Sequence, residues 1–429
     1  MKSSSKNILY LLSLSGMLLS STACKKNYSD PSSVDRTAVG TTAQSLSAAA
    51  TGLQRVYTAG RASSLFNRIT VDGLLTNQFT VLNQGNVPEY QLQQGGGTVD
   101  GTNTMINGLW TTSNKIIFDA DYILDGASRL GDRGFASGLI GYTTIFKALA
   151  LGDMAMYWQK IPASVGQNVA FEDRIQGYNR AIASIDAALA SIQANPISTN
   201  FATYVPAGID IVNTLHALKA RYSLFAGNYT QALASANNVD LTKKSVLNFS
   251  TVNLNPIFET STSTNNVVAA TTTFGLPATL PVDANDKRIP FYLTNAYASK
   301  ILGFGAGATT AWPIYLPGEM TLIKAEAYAR MSTPDLVNAQ IELNKVVTKQ
   351  RTADPFGVGA ELAPVVLATQ QDVLDEIYRQ RAVELSLSGL RVEDQRRFAR
   401  PVAERKRSFL PYPFQERDNN PNTPPDPTF

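Results

Sequence analysis

The sequence predicts an all-α, or at least α-rich, protein whose helices pack as hairpins into one domain, with long irregular loops and at most a few short strands. Three observations carry this expectation. Apolar residues recur at helical spacing, most cleanly at Ile175, Tyr178, Ile182, Ile185, Leu189 and Ile192, which puts one stripe on one helix face. Such stretches come in pairs separated by a few residues, as antiparallel neighbours require. Between two of the pairs lies a region, 247–317, dense in Thr, Asn, Gly and Pro and without sustained period.

At the N-terminus, Lys2 and Lys6 precede an apolar run from Ile8 to Leu19 and then small residues up to Ala23. That pattern reads as a secretory signal peptide over 1–23. A run of about twelve residues falls short of the roughly twenty that span a bilayer. Ser21-Thr-Ala-Cys24 has the small residues of a bacterial lipoprotein box, although Ser21 stands where that box usually has Leu. Cys24 is the only cysteine, so an internal disulfide is excluded and a lipid anchor is expected there. Residues 24–40 are polar and turn-rich, which suits a tether, and 41–429 form the folded domain.

An irregular stretch is expected over 69–103, with Phe79, Tyr90 and a Gly95-Gly96-Gly97 run. Helical pairs are expected over about 139–192, 213–238, 319–350 and 371–388. In the second, Leu215, Leu218, Tyr222 and Phe225 form the stripe. Ala220, Gly227, Tyr229, Ala232 and Ala236 fall where a tetratricopeptide repeat places small or aromatic residues. Residues 319–350 read as a more degenerate copy, with Ala325, Ala327, Tyr328 and Ala339. Each such hairpin leaves an apolar face for its neighbours to cover. The region 247–317 carries too many aromatics for a solvated linker. Long ordered loops are usually functional, so 69–103 and 247–317 are the expected ligand-facing insertions.

Composition bounds the chemistry. A net charge of +3 over 429 residues offers little field to draw in a polyanion, so nucleic acid is not an expected partner. His216 is the sole histidine and sits inside a helix between Leu215 and Leu218. No Cys/His cluster suggests a transition metal, and no carboxylate pair stands out as a glycosidase pair. No catalytic residue, metal or cofactor is expected, and a hydrolase is the least favoured alternative. For binding, aromatic rings offer flat faces to sugar rings. Trp312 is the foremost candidate, because Gly303-Phe-Gly-Ala-Gly-Ala-Thr-Thr-Ala-Trp312 has little side chain to cover it. Together with Tyr315 it could equally plug the start of the next helix. Phe304, Tyr292, Tyr297 and Tyr90 are further candidates, while Trp110 and Trp158 read as core. Glu384, Arg391, Asp394 and Arg397 are spaced three to seven apart and read as a structural ion-pair motif fixing the last helix.

Several separated segments resemble SusD/RagB-like nutrient-binding outer-membrane lipoproteins. They are Cys24-Lys-Lys-Asn-Tyr-Ser-Asp-Pro31, Leu109-Trp110 through Asn114 and Ile117, Ala150-Leu-Gly-Asp153, Phe171-Glu-Asp-Arg174 and Glu319-Met-Thr-Leu-Ile-Lys-Ala-Glu-Ala-Tyr-Ala-Arg330. The most specific is Ile377-Tyr-Arg-Gln-Arg-Ala-Val-Glu-Leu-Ser-Leu-Ser-Gly-Leu-Arg-Val-Glu-Asp-Gln-Arg-Arg397, followed by Leu410-Pro-Tyr-Pro413 and Glu416. The resemblance implies a surface-exposed protein of the outer membrane, held there by its lipid. It implies capture of a glycan or oligopeptide for a partner TonB-dependent, SusC-like β-barrel transporter. A scaffold that binds the transporter and no ligand is the alternative.

Overall fold

The structure is a computed structural model and describes residues 42–262, 267–294 and 300–429. The expected signal peptide, Cys24, the tether and Tyr297 lie outside the described residues.

Helix α1 (Ala43–Thr58) begins on a capping box in which Thr42 and Ser45 exchange side-chain and backbone hydrogen bonds. Helix α2 (Ser64–Leu75) is capped by Ser63 and buries every one of its residues, polar Asn67, Arg68 and Asp72 included. A helix covered on all sides has no polar face and leaves no amphipathic period. With strand β1 (Phe79–Val81) and helix α3 (Val87–Gln94), which has Pro in its first turn, it corrects the expectation that 69–103 is irregular.

Helices α4 (Thr104–Ser128) and α5 (Arg133–Tyr157) form a long hairpin with Asn103 and Asp132 as side-chain caps. Among the described residues α5 alone is long and apolar enough to cross a membrane, yet 83% of that window is buried inside the protein. Other helices cover it. The chain turns through an antiparallel hairpin of β2 (Lys160–Pro162) and β3 (Phe171–Asp173) into α6 (Arg174–Ala194), capped by Asp173. The stripe expected on α6 is inward, with Tyr178, Ile182 and Ile185 buried.

Helices α7 (Ile211–Phe225) and α8 (Tyr229–Asn237) form the next hairpin. The loop-rich region follows, with β4 (Val246–Leu247), β5 (Val268–Ala270), the one-turn α9 (Ile289–Tyr292) and β6 (Trp312–Pro313). Helices α10 (Pro317–Arg330), α11 (Leu336–Val347), α12 (Gln370–Glu384), α13 (Arg391–Arg397) and α14 (Phe414–Asn419) complete the chain. The strands form three two-stranded antiparallel pieces, β1–β5, β2–β3 and β4–β6.

Helix packs on helix in a continuous stack: α4 on α5, α5 on α6, α6 on α7, α7 on α8, α8 on α10, and α10 on both α11 and α12. This is the all-α, tetratricopeptide-like arrangement that the hairpins predict. Close approach within it needs Gly152 of α5, where a Cβ would lie 2.3 Å from the Tyr222 ring of α7. A smaller core of Leu322, Ala325, Leu343, Val373 and Ile377 closes α10 against α11 and α12.

Buried ion pairs tie the stack across hairpins. Arg221 of α7 meets Glu319 of α10, with Nη2 2.7 Å from Oε2 and its Nε on the other oxygen. Arg397 of α13 donates Nε and Nη2 to the two oxygens of Glu326 at 3.1 and 2.8 Å. Arg381 of α12 reaches Asp394 at 2.9 Å. Of the four expected motif residues, Asp394 and Arg397 meet each other at 3.0 Å. Glu384 turns away to Arg288 at 3.0 Å and to Lys349. Arg391 departs from the expectation: its Nη1 donates to the Tyr378 carbonyl at 3.1 Å and its guanidinium lies 3.7 Å from the Tyr378 ring centre, so a ring and a carbonyl take the place of a carboxylate.

Candidate ligand site

The loop-rich region gathers its aromatics into one cluster. Trp312 lies on β6 opposite Leu247 of β4 and is 2% exposed. Phe304 stands at the centre. Its ring is 6.3 Å from Trp312, 6.1 Å from Tyr292, 5.6 Å from Phe291 and 5.9 Å from Phe356, mostly edge to face. Tyr292 is fully buried, donates its hydroxyl to the Glu384 carbonyl at 2.9 Å, and is pushed well above the ordinary tyrosine range by burial and by the Glu384 charge. Tyr315, two residues before α10, is buried and is pushed up by burial and by Asp210. Three of the candidates, Trp312, Phe304 and Tyr292, are therefore brought together, but as packed core. The plug reading describes Trp312 and Tyr315 as they stand. Tyr90 is half-buried on α3 and takes no part in the cluster.

Of the cluster's half-buried rings, Phe291 and Phe356, the one that lines a groove is Phe291. It is half-buried and lines an open groove of about 590 Å³ with Pro290, Gly303, Arg351, Thr352, Gly357 and Glu361. Pro290 starts α9, where its missing N–H is no loss. Gly303 has φ of 55°, and a Cβ there would stand 3.0 Å from Phe291 and 3.1 Å from Tyr292. Glycine thus satisfies both the left-handed backbone and the close approach. Arg351 donates its backbone N–H at 3.1 Å and its Nε at 3.0 Å to Glu361 Oε1, and these bonds hold the Glu361 carboxyl below its usual range. Arg288 holds Asp286, Glu384 and Gln380, and Lys349 holds Asp354 and Glu384, which fixes α9 against α12 behind the groove. Burial acts to lower Lys349, but its two carboxylates outweigh this and leave it raised.

The rings expected from the sequence share the loop-rich region with the groove, but Trp312, Phe304, Tyr292 and Tyr315 are buried there. Phe291 differs from its neighbours only in being at the outer edge of the cluster, which no local pattern reveals. Arg351, Thr352 and Glu361 come from the connection after α11 and join the site through tertiary packing alone.

A second, smaller cleft of about 260 Å³ lies between α4, the β2–β3 hairpin and α14, lined by Asn114, Pro162, Val165, Pro413 and Glu416 beside Trp110. Trp110 donates Nε1 to Glu416 Oε2 at 3.2 Å and stacks edge-on to buried Trp158. Elsewhere, His216 is half-buried on α7 and lowered by burial and then by Lys219. No group of three His, Cys, Asp or Glu side chains that could hold a metal occurs among the described residues.

Stacked helical hairpins with a loop-built groove define an all-α, tetratricopeptide-like class of protein. The SusD family model matches residues 220–425, and the chain is SusD/RagB-like. Solved structures agree on the fold. A SusD superfamily protein from Bacteroides vulgatus aligns with TM-score 0.69 at 13% identity, covering 92% of this chain and 98% of that one. A surface glycan-binding protein A from Bacteroides uniformis aligns with TM-score 0.66 at 14% identity, over 90% and 98%. A SusD-like carbohydrate binding protein from Bacteroides fragilis gives 0.64 at 13% identity, over 84% and 87%. No curated protein matches the chain.

Proposed function

We propose that this chain is a non-enzymatic surface lipoprotein that captures a glycan and delivers it to a partner TonB-dependent, SusC-like transporter in the outer membrane. Cys24 is its lipid anchor. The observation that carries the reading is the groove at Phe291, where one aromatic face and Pro290 meet the polar groups of Arg351, Thr352 and Glu361 on a rigid aromatic backing. A flat apolar face suits the C–H side of a sugar ring, and the flanking polar groups suit its hydroxyls. Two fold neighbours described as binding glycan or carbohydrate favour a glycan over an oligopeptide.

The test is a binding screen of the purified full chain against glycans and peptides, repeated with Phe291→Ala and Trp312→Phe. A glycan should bind, Phe291→Ala should weaken it by about tenfold or more, roughly 1.4 kcal/mol, and Trp312→Phe should bind nearly as the parent does. Binding of peptides alone, or glycan binding indifferent to Phe291, contradicts the site. Binding of nothing but the transporter favours the scaffold alternative, and release of glycan or peptide products would show an enzyme.

A further inference from the structure

We infer that the groove at Phe291 selects anionic glycans, those whose rings carry a carboxylate, over neutral ones; this deepens the glycan reading and rests on it. A chain with only 17% charged residues suggests neutral ligands for the molecule as a whole, but the groove departs from that average.

Arg351 is the deciding residue. Its side chain is 51% exposed at the groove, and Glu361 occupies only its Nε and backbone N–H. The Nη1 and Nη2 edge meets no partner among the described residues. Two parallel N–H donors on one planar edge match a carboxylate, and charge-assisted bonds are roughly twice as strong as neutral ones. Glu361 is the one carboxylate lining the groove, and it is already engaged.

Other cations stand near. Exposed Lys287 acts on the Glu361 charge. The Lys244 ammonium lies 5.4 Å from the Phe356 ring, one residue before Gly357 of the groove. The carboxylates behind the wall, Asp286, Asp354 and Glu384, are buried and taken up by Arg288 and Lys349. A ligand on Phe291 therefore meets Arg351, the one cation lining the groove, against a single occupied carboxylate. A neutral sugar would use the ring and leave the guanidinium edge to water, whereas a uronate uses both.

The experiment measures affinities of the full chain for a panel of oligo-uronates of different linkages, each beside its carboxyl-reduced neutral counterpart. It is done at low salt and at about 1 M salt, where screening shortens to about 3 Å. At least one acidic member should bind about tenfold tighter than its neutral partner, with a gap that narrows at high salt. Arg351→Gln should collapse that ratio. Glu361→Gln, which removes the competing charge but keeps an acceptor for Arg351, should tighten the acidic ligand about threefold, a gain that misfolding cannot mimic. Equal affinity within every pair, with binding still dependent on Phe291, overturns the anionic selectivity and leaves the glycan reading standing. A preference that survives Arg351→Gln also overturns it. If no member of either series binds, the anionic selectivity falls, and the glycan reading is decided by the wider screen of glycans and peptides.

Discussion

The Arg221–Glu319 pair shows how much of this fold depends on single buried contacts. Both side chains are about 1–2% exposed, and Arg221 also donates to the Ile314 carbonyl at 2.9 Å. Removing one partner strands a buried charge, which costs about 3–5 kcal/mol, while replacing both with apolar residues of similar volume is often close to neutral. Glu319→Ala should therefore lower the urea unfolding free energy by that amount, and Arg221→Met with Glu319→Leu should recover most of it. Glu326 adds a pH dependence. Burial pushes its carboxyl up, but Arg397 and Arg381 outweigh this and hold it below the ordinary glutamate range. A depressed folded pKa means stability present above the unfolded value, about 4.3, and lost as pH falls below it. Melting temperatures should drop on acidification below that point, and Glu326→Gln, less stable at neutral pH, should show a shallower drop. At the groove, Gly303→Ala puts a Cβ against Phe291 and Tyr292 at a positive φ. It should destabilise by about 1 kcal/mol or more and weaken glycan binding beyond that effect.

Elements differ in how plainly they could be read in the sequence. Helix α6 was legible because one face is buried and the other is wet, so its stripe survives in the sequence. Helix α2 was not, because Arg68 and Asp72 are inside: Arg68 meets Asp153 at 3.4 Å and donates to the Ser388 carbonyl, and Asp72 accepts from the backbone of Arg391 and Val392. These polar residues are core, held by partners 85 to 320 residues away in sequence. The aromatics of 247–317 were legible as ordered but not as inside or outside, since burial of Trp312 is decided by Phe304 and Leu247 across the loop. Packing between helices makes its own prediction. Gly152→Leu drives a side chain into Tyr222 where α5 crosses α7, so it should cost upward of about 1–3 kcal/mol from overpacking, read as a fall in denaturant midpoint.

At the scale of the whole molecule, the hairpin stack gives a packed body and the loops give it a groove, a division that suits the proposed capture of a glycan. The proposed anchor follows the same logic of an exported binding protein. Cys24→Ser should shift the chain from the outer-membrane fraction to the soluble fraction, measured by fractionation and immunoblotting, while leaving glycan affinity unchanged. The claim at the centre is that the sugar lies on Phe291. The direct measurement is a crystal structure of the chain with its bound glycan. A sugar ring stacked on Phe291 with polar contacts from Arg351 or Thr352 is the expected result. Density instead in the cleft beside Trp110 and Glu416, with the Phe291 groove empty, would contradict it.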